Sequence, residues 1–155
     1  MVEQFATTNI FAAPKRTSEA ICITTNGIVK RDGHAVMGAG IAKQANILFH
    51  CSRDLGNLLR ACGNHAFHLG LKYAYGHMYH VFSFPTKHNW RDNSNLDLIR
   101  QSAEELVELC NQHRITTCYL PPAGCGLGSL DWETQVKPVL APILDDRFII
   151  ILRQQ

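Results

Sequence analysis

Gly124-Cys125-Gly126-Leu127-Gly128-Ser129-Leu130-Asp131-Trp132 is the stretch on which the fold turns. An apolar run, Thr117 to Leu120, precedes it and reads as a buried strand. Trp132, Val136, Val139, Leu140 and Ile143 follow at roughly helical spacing. Three glycines therefore sit where a strand hands over to a helix. Such a turn leaves backbone N–H groups pointing outward with no Cβ in the way. The helix N-terminus behind it adds partial positive charge. The expected ligand is a phosphate or diphosphate.

A second loop of this kind lies upstream. Ala20 to Thr24 is a short apolar run, read as an interior strand of a parallel sheet, and Asn26-Gly27 ends it. After a polar loop, Val29 to His34, Met37-Gly38-Ala39-Gly40 opens a helix through Ile41, Ala42, Ala45 and Leu48. Residues 54–62 place Leu55, Leu58, Leu59 and Cys62 on one helical face. Residues 4–13 read as strand, stopped by Pro14-Lys15-Arg16. His77 to Phe84 is a strand ended by Pro85. Ser94 to Gln112 is the clearest helix, with Ser94 as cap, Asp97 completing a capping box, and Leu96, Ile99, Ala103, Leu106, Val107 and Cys110 as the buried stripe. Pro138 and Pro142 should kink or shorten the last helix. Arg147 to Leu152 is a terminal strand.

Alternating strands and helices predict a three-layer α/β/α sandwich with a mixed, largely parallel central sheet. Ligands of such folds bind at the carboxyl ends of strands, where both glycine loops fall. At 155 residues, positions 1–155 read as one domain. The formal charge of +2 is too small to argue for a dedicated nucleic-acid surface. No secretory h-region opens the chain and no apolar run approaches a membrane span. Six cysteines are scattered without a CxxC pair, so reduced, buried thiols in a cytoplasmic protein are expected, with no membrane partner. Cys62-x2-His65-x2-His68 lacks a convincing fourth ligand, so neither a metal nor a cofactor is expected. Cys125 is expected to pack beneath its loop, and Asp131 to cap the last helix.

Neither glycine loop is a Rossmann fingerprint or a Walker A motif. Four blocks taken together resemble the macrodomain, the ADP-ribose-binding family. They are Ala20-Ile-Cys-Ile-Thr-Thr-Asn26-Gly27, Val36-Met-Gly-Ala-Gly40-Ile-Ala-Lys-Gln-Ala45, Phe84-Pro-Thr-Lys87-His-Asn-Trp90-Arg91, and Leu120-Pro-Pro-Ala-Gly124 through Trp132. The third resembles the branch that includes DNA ADP-ribosyl glycohydrolase antitoxins. The resemblance implies a groove for ADP-ribose or an ADP-ribosylated substrate, ADP-ribosylated DNA first among them. Gly38, Ala39, Gly40 and Ile41 would face Ala123, Gly124, Cys125, Gly126, Leu127, Gly128, Ser129 and Leu130 across the diphosphate and distal ribose. Thr25, Pro85 and Thr86 would line the floor. Asn9, where the family usually has an aspartate, would meet the adenine with Ile10.

Asn26 would hydrogen-bond the distal ribose, and Lys87 with Asn26 would carry the chemistry. Cleaving a glycosidic bond at the anomeric carbon develops positive charge on the sugar, and a lysine there can attack or move a proton. The implied activity is an ADP-ribosyl glycohydrolase; the alternative is a non-catalytic ADP-ribose or nucleotide-signal binding module. One departure favours the alternative: a protein-deglycosylating macrodomain of the same wider branch carries an aspartate where this chain has Gly128. Trp90, in a polar loop, is the better aromatic for touching substrate, and Trp132 is expected in the core.

Overall fold

A computed structural model describes residues 1–6 and 9–153. Its core is a six-stranded sheet in the order β1-β6-β5-β2-β4-β3. The strands are β1 (Val2–Ala6), β2 (Glu19–Thr25), β3 (Phe67–Ala74), β4 (His77–Pro85), β5 (Thr117–Leu120) and β6 (Phe148–Arg153). Every neighbouring pair is parallel except the β3–β4 hairpin at one edge. The helices are α1 (Gly40–Phe49), α2 (Ser52–Cys62), α3 (Leu96–Gln112) and the four-residue α4 (Lys137–Leu140).

The sequence explains the layering. β2 is buried along almost its whole length, as a central parallel strand covered on both faces must be. Its residues alternate between two cores. Ala20 and Cys22 join Phe82, Phe84, Ile99, Leu106, Val136 and Phe148 on the α3–α4 side. Ile21 and Ile23 join Phe11, Ala45, Leu55, Tyr79 and Val81 on the α1–α2 side. The expected α/β/α sandwich is what forms.

Register levels one edge of the sheet. Thr25 pairs with Pro85, so β2 and β4 end side by side, and Thr86 N–H donates to Thr25 C=O at 3.0 Å just beyond. β5 stops earlier, because Pro121 and Pro122 follow Leu120 and proline has no N–H for the ladder. The chain after β5 is therefore free to fold over the ends of its neighbours.

Several local expectations are corrected. The strand read over residues 4–13 ends at Ala6, with residues 7 and 8 outside the described part. Asn9 then caps a 3-10 turn, Ile10–Ala12, by accepting from Phe11 N–H. β3 was not foreseen; its alternation is broken by Gly70 and a bulge between His68 and Gly70. Ser94 does not cap α3. Asn95 does, accepting from Leu98 N–H, while Ser94 is buried against the second glycine loop. Cys62 and Leu48 are exposed instead of joining their helices' buried faces. The prolines act as expected: a π-helical turn, Trp132–Val136, precedes a single turn of α-helix that begins at Lys137-Pro138.

Candidate functional site

The two glycine loops flank the carboxyl ends of β2 and β5, which are neighbours in the sheet. The first feeds α1, whose N-cap, Ala39, makes no side-chain cap. Among the described residues, the backbone amides of Ala39 through Ala42 have no partner in the protein. An uncapped helix N-terminus of this kind is an anion seat. Gly38 and Gly40 open onto empty space, where even an added Cβ would touch nothing.

The second loop is tighter. Cys125 N–H donates to Pro122 C=O, Ser129 N–H to Gly126 C=O and Leu130 N–H to Gly124 C=O. Among the described residues, that leaves the amides of Gly126, Leu127 and Gly128 without partners. Gly124 takes a positive φ of 77°, which an L side chain resists. Cys125 packs inward as expected; its Sγ lies 3.4 Å from Ala123 C=O, and burial and then Asp131 push its pKa up to about 11.

The helical turns behind this second loop carry their own capping carboxylate, as expected of Asp131. Asp131 caps the following turn, accepting from Thr134 N–H at 2.8 Å and from its hydroxyl at 2.6 Å. These bonds, the hydroxyl's first, hold its carboxyl below the ordinary carboxylate range. Positive potential for an anion thus comes from α1 and from the free amides, not from the helix after Trp132. Trp132 itself is core, its indole N–H donating to Glu3 at 2.8 Å.

Lys87 leaves the end of β4 and reaches across to the second loop, where Nζ donates to Leu127 C=O at 3.2 Å. The loop that carries it is anchored from below. Asn64, in the connection between α2 and β3, donates through Nδ2 to Lys87 C=O at 3.0 Å and lies 3.3 Å from His88 Nδ1. Gly27 N–H donates to His88 C=O at 3.1 Å. Ser102 Oγ holds Pro85 C=O at 2.7 Å, and Asn95 N–H holds Thr86 C=O at 2.8 Å. Trp90 is half-exposed, with the Arg91 guanidinium 4.9 Å above its ring.

Asn26 faces its own loop, donating to Val36 C=O and accepting from Ile28 N–H, both at 3.0 Å. Thr25, Asn26, Pro85, Thr86 and Lys87 thus share one edge with the Gly124–Leu130 loop and the α1 N-terminus with Ile41. Asn9 and Ile10 open the 3-10 turn that follows β1. The Asn9 amide donates to the Tyr75 hydroxyl on the β3–β4 turn. Ile10 lines a 320 Å³ concavity with Gln4, Ala12, Tyr119 and Ile151. Asn64 and Ser94 escaped sequence reasoning: an isolated loop asparagine and a serine before a helix carry no signal of a structural bond fifteen or more positions away.

A parallel-sheet sandwich with two runs of free amides at its carboxyl edge and a lysine between them defines an anion-binding α/β fold. This chain belongs to the macrodomain family, whose Macro domain model matches residues 32–138. A curated relative, the DNA ADP-ribosyl glycohydrolase of Thermus aquaticus, is 28% identical over 147 residues, covering 92% of this chain and 38% of that protein. The solved macrodomain of Thermus aquaticus DarG superposes with a TM-score of 0.72 at 25% identity, covering 99% of each chain. Thermosipho africanus DarTG, solved in complex with ADP-ribose, gives 0.75 at 19% identity, covering 99% of this chain and 42% of that one. The chain therefore spans well under half the length of the curated relative from Thermus.

Proposed function

We propose that this edge of the sheet binds ADP-ribose and that the chain removes it from a modified acceptor, a nucleobase on DNA in the first place. The observation that carries the reading is Lys87, its side chain tied to the second glycine loop at Leu127 and its backbone carbonyl held by Asn64. The name of the Thermus relative and the ADP-ribose held by the Thermosipho protein support the ligand and the reaction class. The free amides of the two loops receive the diphosphate. Asn26 Oδ1, with one lone pair committed to Ile28, keeps the other for a hydroxyl of the distal ribose.

In this reading the bond from the ribose anomeric carbon to the acceptor breaks, and its electron pair leaves with the acceptor. The Lys87 ammonium, already a donor to Leu127, supplies the proton that neutralises that pair. A water oxygen bonds to the anomeric carbon and gives up its proton to solvent, from which Lys87 is recharged. Asp131 is held by its cap, Gly128 has no side chain, and among the described residues no carboxylate is paired with Lys87 to strip its proton.

Lys87→Ala is expected to abolish release of ADP-ribose from an ADP-ribosylated oligonucleotide, with affinity for free ADP-ribose kept within a few-fold. Wild-type turnover by that variant refutes the role. Borohydride added during turnover should trap no adduct on Lys87; a trapped adduct makes it the nucleophile instead. Faster release from ADP-ribosylated protein or from ADP-ribose 1″-phosphate than from DNA reassigns the acceptor. The missing carboxylate at Gly128 also favours a second reading, binding without chemistry. Calorimetric binding with no ADP-ribose released overnight from any of these substrates would establish it.

A further inference from the structure

Far from this edge, three histidines converge. His68 on β3, His80 on β4 and His113 at the C-terminal end of α3 each bring a ring nitrogen within 4.8 Å of the others. His68 Nε2 and His80 Nδ1 are 2.9 Å apart. His68 and His113 stack with centroids 3.8 Å apart, and Phe82 floors the group, 5.2 Å from His68 and 6.0 Å from His113. The assembly follows from topology. His68 pairs across from Phe82, His80 lies on the same face of β4, and the last turn of α3 crosses that face. These residues are separated in the sequence, so the local spacing Cys62-x2-His65-x2-His68 did not reveal them. His65 instead bonds Glu105 at 2.7 Å.

We propose that His68, His80 and His113 form a binding site for a single divalent transition-metal ion of the zinc class. Three imidazoles with no carboxylate suit Zn²⁺, Cu²⁺ or Ni²⁺ and not Mg²⁺ or Ca²⁺, which take oxygen ligands. Ligand nitrogens about 2.0–2.1 Å from a tetrahedral zinc stand roughly 3.3 Å from each other. The His68 and His113 rings, now stacked with their planes 29° apart, must open against one another for both in-plane lone pairs to meet on one ion. All three rings are half-buried, so an ion can enter and a water can fill the fourth position.

The protonation state suits the task. Burial first, then His113 and His80, press the His68 pKa down to about 4, and burial lowers that of His80 as well. Both rings are therefore neutral, and one of the two facing nitrogens carries the proton of their 2.9 Å hydrogen bond, whose place the ion would take. The Lys72 ammonium faces His68 and opposes any cation, which weakens the site relative to one backed by a carboxylate. His80 lies roughly 16 Å back along β4 from Pro85 at the strand rise. The ion would clip the edge hairpin to α3 without entering the ligand groove.

The test uses tag-free full chain titrated with Co²⁺ and Zn²⁺. Expected are visible ligand-field bands of four-coordinate Co²⁺ without a thiolate charge-transfer band, saturating at one equivalent and reversed by Zn²⁺. Zn²⁺ should also raise Tm. His113→Gln, at the C-terminal end of α3, and His80→Phe should each weaken Zn²⁺ binding about tenfold or more while ADP-ribose affinity is unchanged, which certifies their fold. Wild-type protein giving neither bands nor a Zn²⁺-dependent Tm, or bands surviving in both variants, overturns the site.

Discussion

A side chain on Gly128 would run into Ser94 Oγ and the carbonyl oxygen of Gly124. Ser94 also holds the loop by its backbone, its N–H donating to Gly128 C=O at 3.0 Å. The loop and the entry to α3 are thus fitted together at a point where only a glycine leaves room. This explains in packing terms why the aspartate of another macrodomain has no counterpart here. Restoring it would displace the loop before it could place a carboxylate near Lys87. Gly128→Ala should cost about 1–3 kcal/mol of unfolding free energy, the usual penalty for overpacking. Ser94 Oγ is buried without a partner among the described residues, so Ser94→Ala alone should be neutral or mildly stabilising. Combined with Gly128→Ala it should recover part of the loss and no more, because the Gly124 carbonyl remains in the way. Urea unfolding of the two single variants and the double variant measures this coupling. Additive losses would show that the two residues do not share the space.

Among the elements, β1 depends on a tether that no pattern in the sequence announces. Glu3 accepts from the Trp132 indole at 2.8 Å and pairs with Lys137 at 3.0 Å, joining the edge strand to the π-helical turn and α4. The Trp132 bond first and the Lys137 bond second hold the Glu3 carboxyl below its ordinary range. A depressed folded-state pKa contributes stability that is present above the unfolded value of about 4.5 and is lost as pH falls through the folded one. Glu3→Gln keeps an acceptor for the indole and removes the charge. Its Tm should lie below wild type at pH 7, and the gap should narrow as pH falls through the lowered Glu3 value. A gap that persists undiminished at pH 3 would assign the tether to packing and not to charge. Thermal unfolding over that range decides between them.

The same element scale shows what could be read in advance. β2, β4, β5 and α3 were legible because each buries a continuous or periodic apolar set. β3 was not: it is an edge strand with exposed Leu71 and Tyr73, a bulge, and a histidine facing a neighbouring cluster. Lys87 and the glycine loops were legible as local motifs. The Asp131 cap was legible too, being a bond to Thr134 three residues on, whereas Asn64 holding Lys87 exists only once distant segments meet.

At the scale of the whole molecule, the sheet gathers its ligand-facing groups as backbone amides on one edge, while its net charge is only +2. Affinity in the proposed reaction should then reside in the ADP-ribose moiety, with the nucleic acid contributing little. Binding to a nucleic acid through its phosphates carries a salt dependence of about −0.7 in log K per log salt for each contact on a single strand. The slow variant Lys87→Ala allows the substrate itself to be titrated. It should bind an ADP-ribosylated oligonucleotide and free ADP-ribose within about tenfold of each other, with salt slopes differing by no more than about 1, little more than one phosphate contact. The unmodified oligonucleotide should bind far more weakly. Trp90 and Arg91, exposed beside the Lys87 loop, are the groups positioned to supply that one contact. A slope steeper by several contacts, or tight binding of unmodified strand, would mean that an extended basic track engages the DNA. The sheet edge would then be only part of the recognition surface.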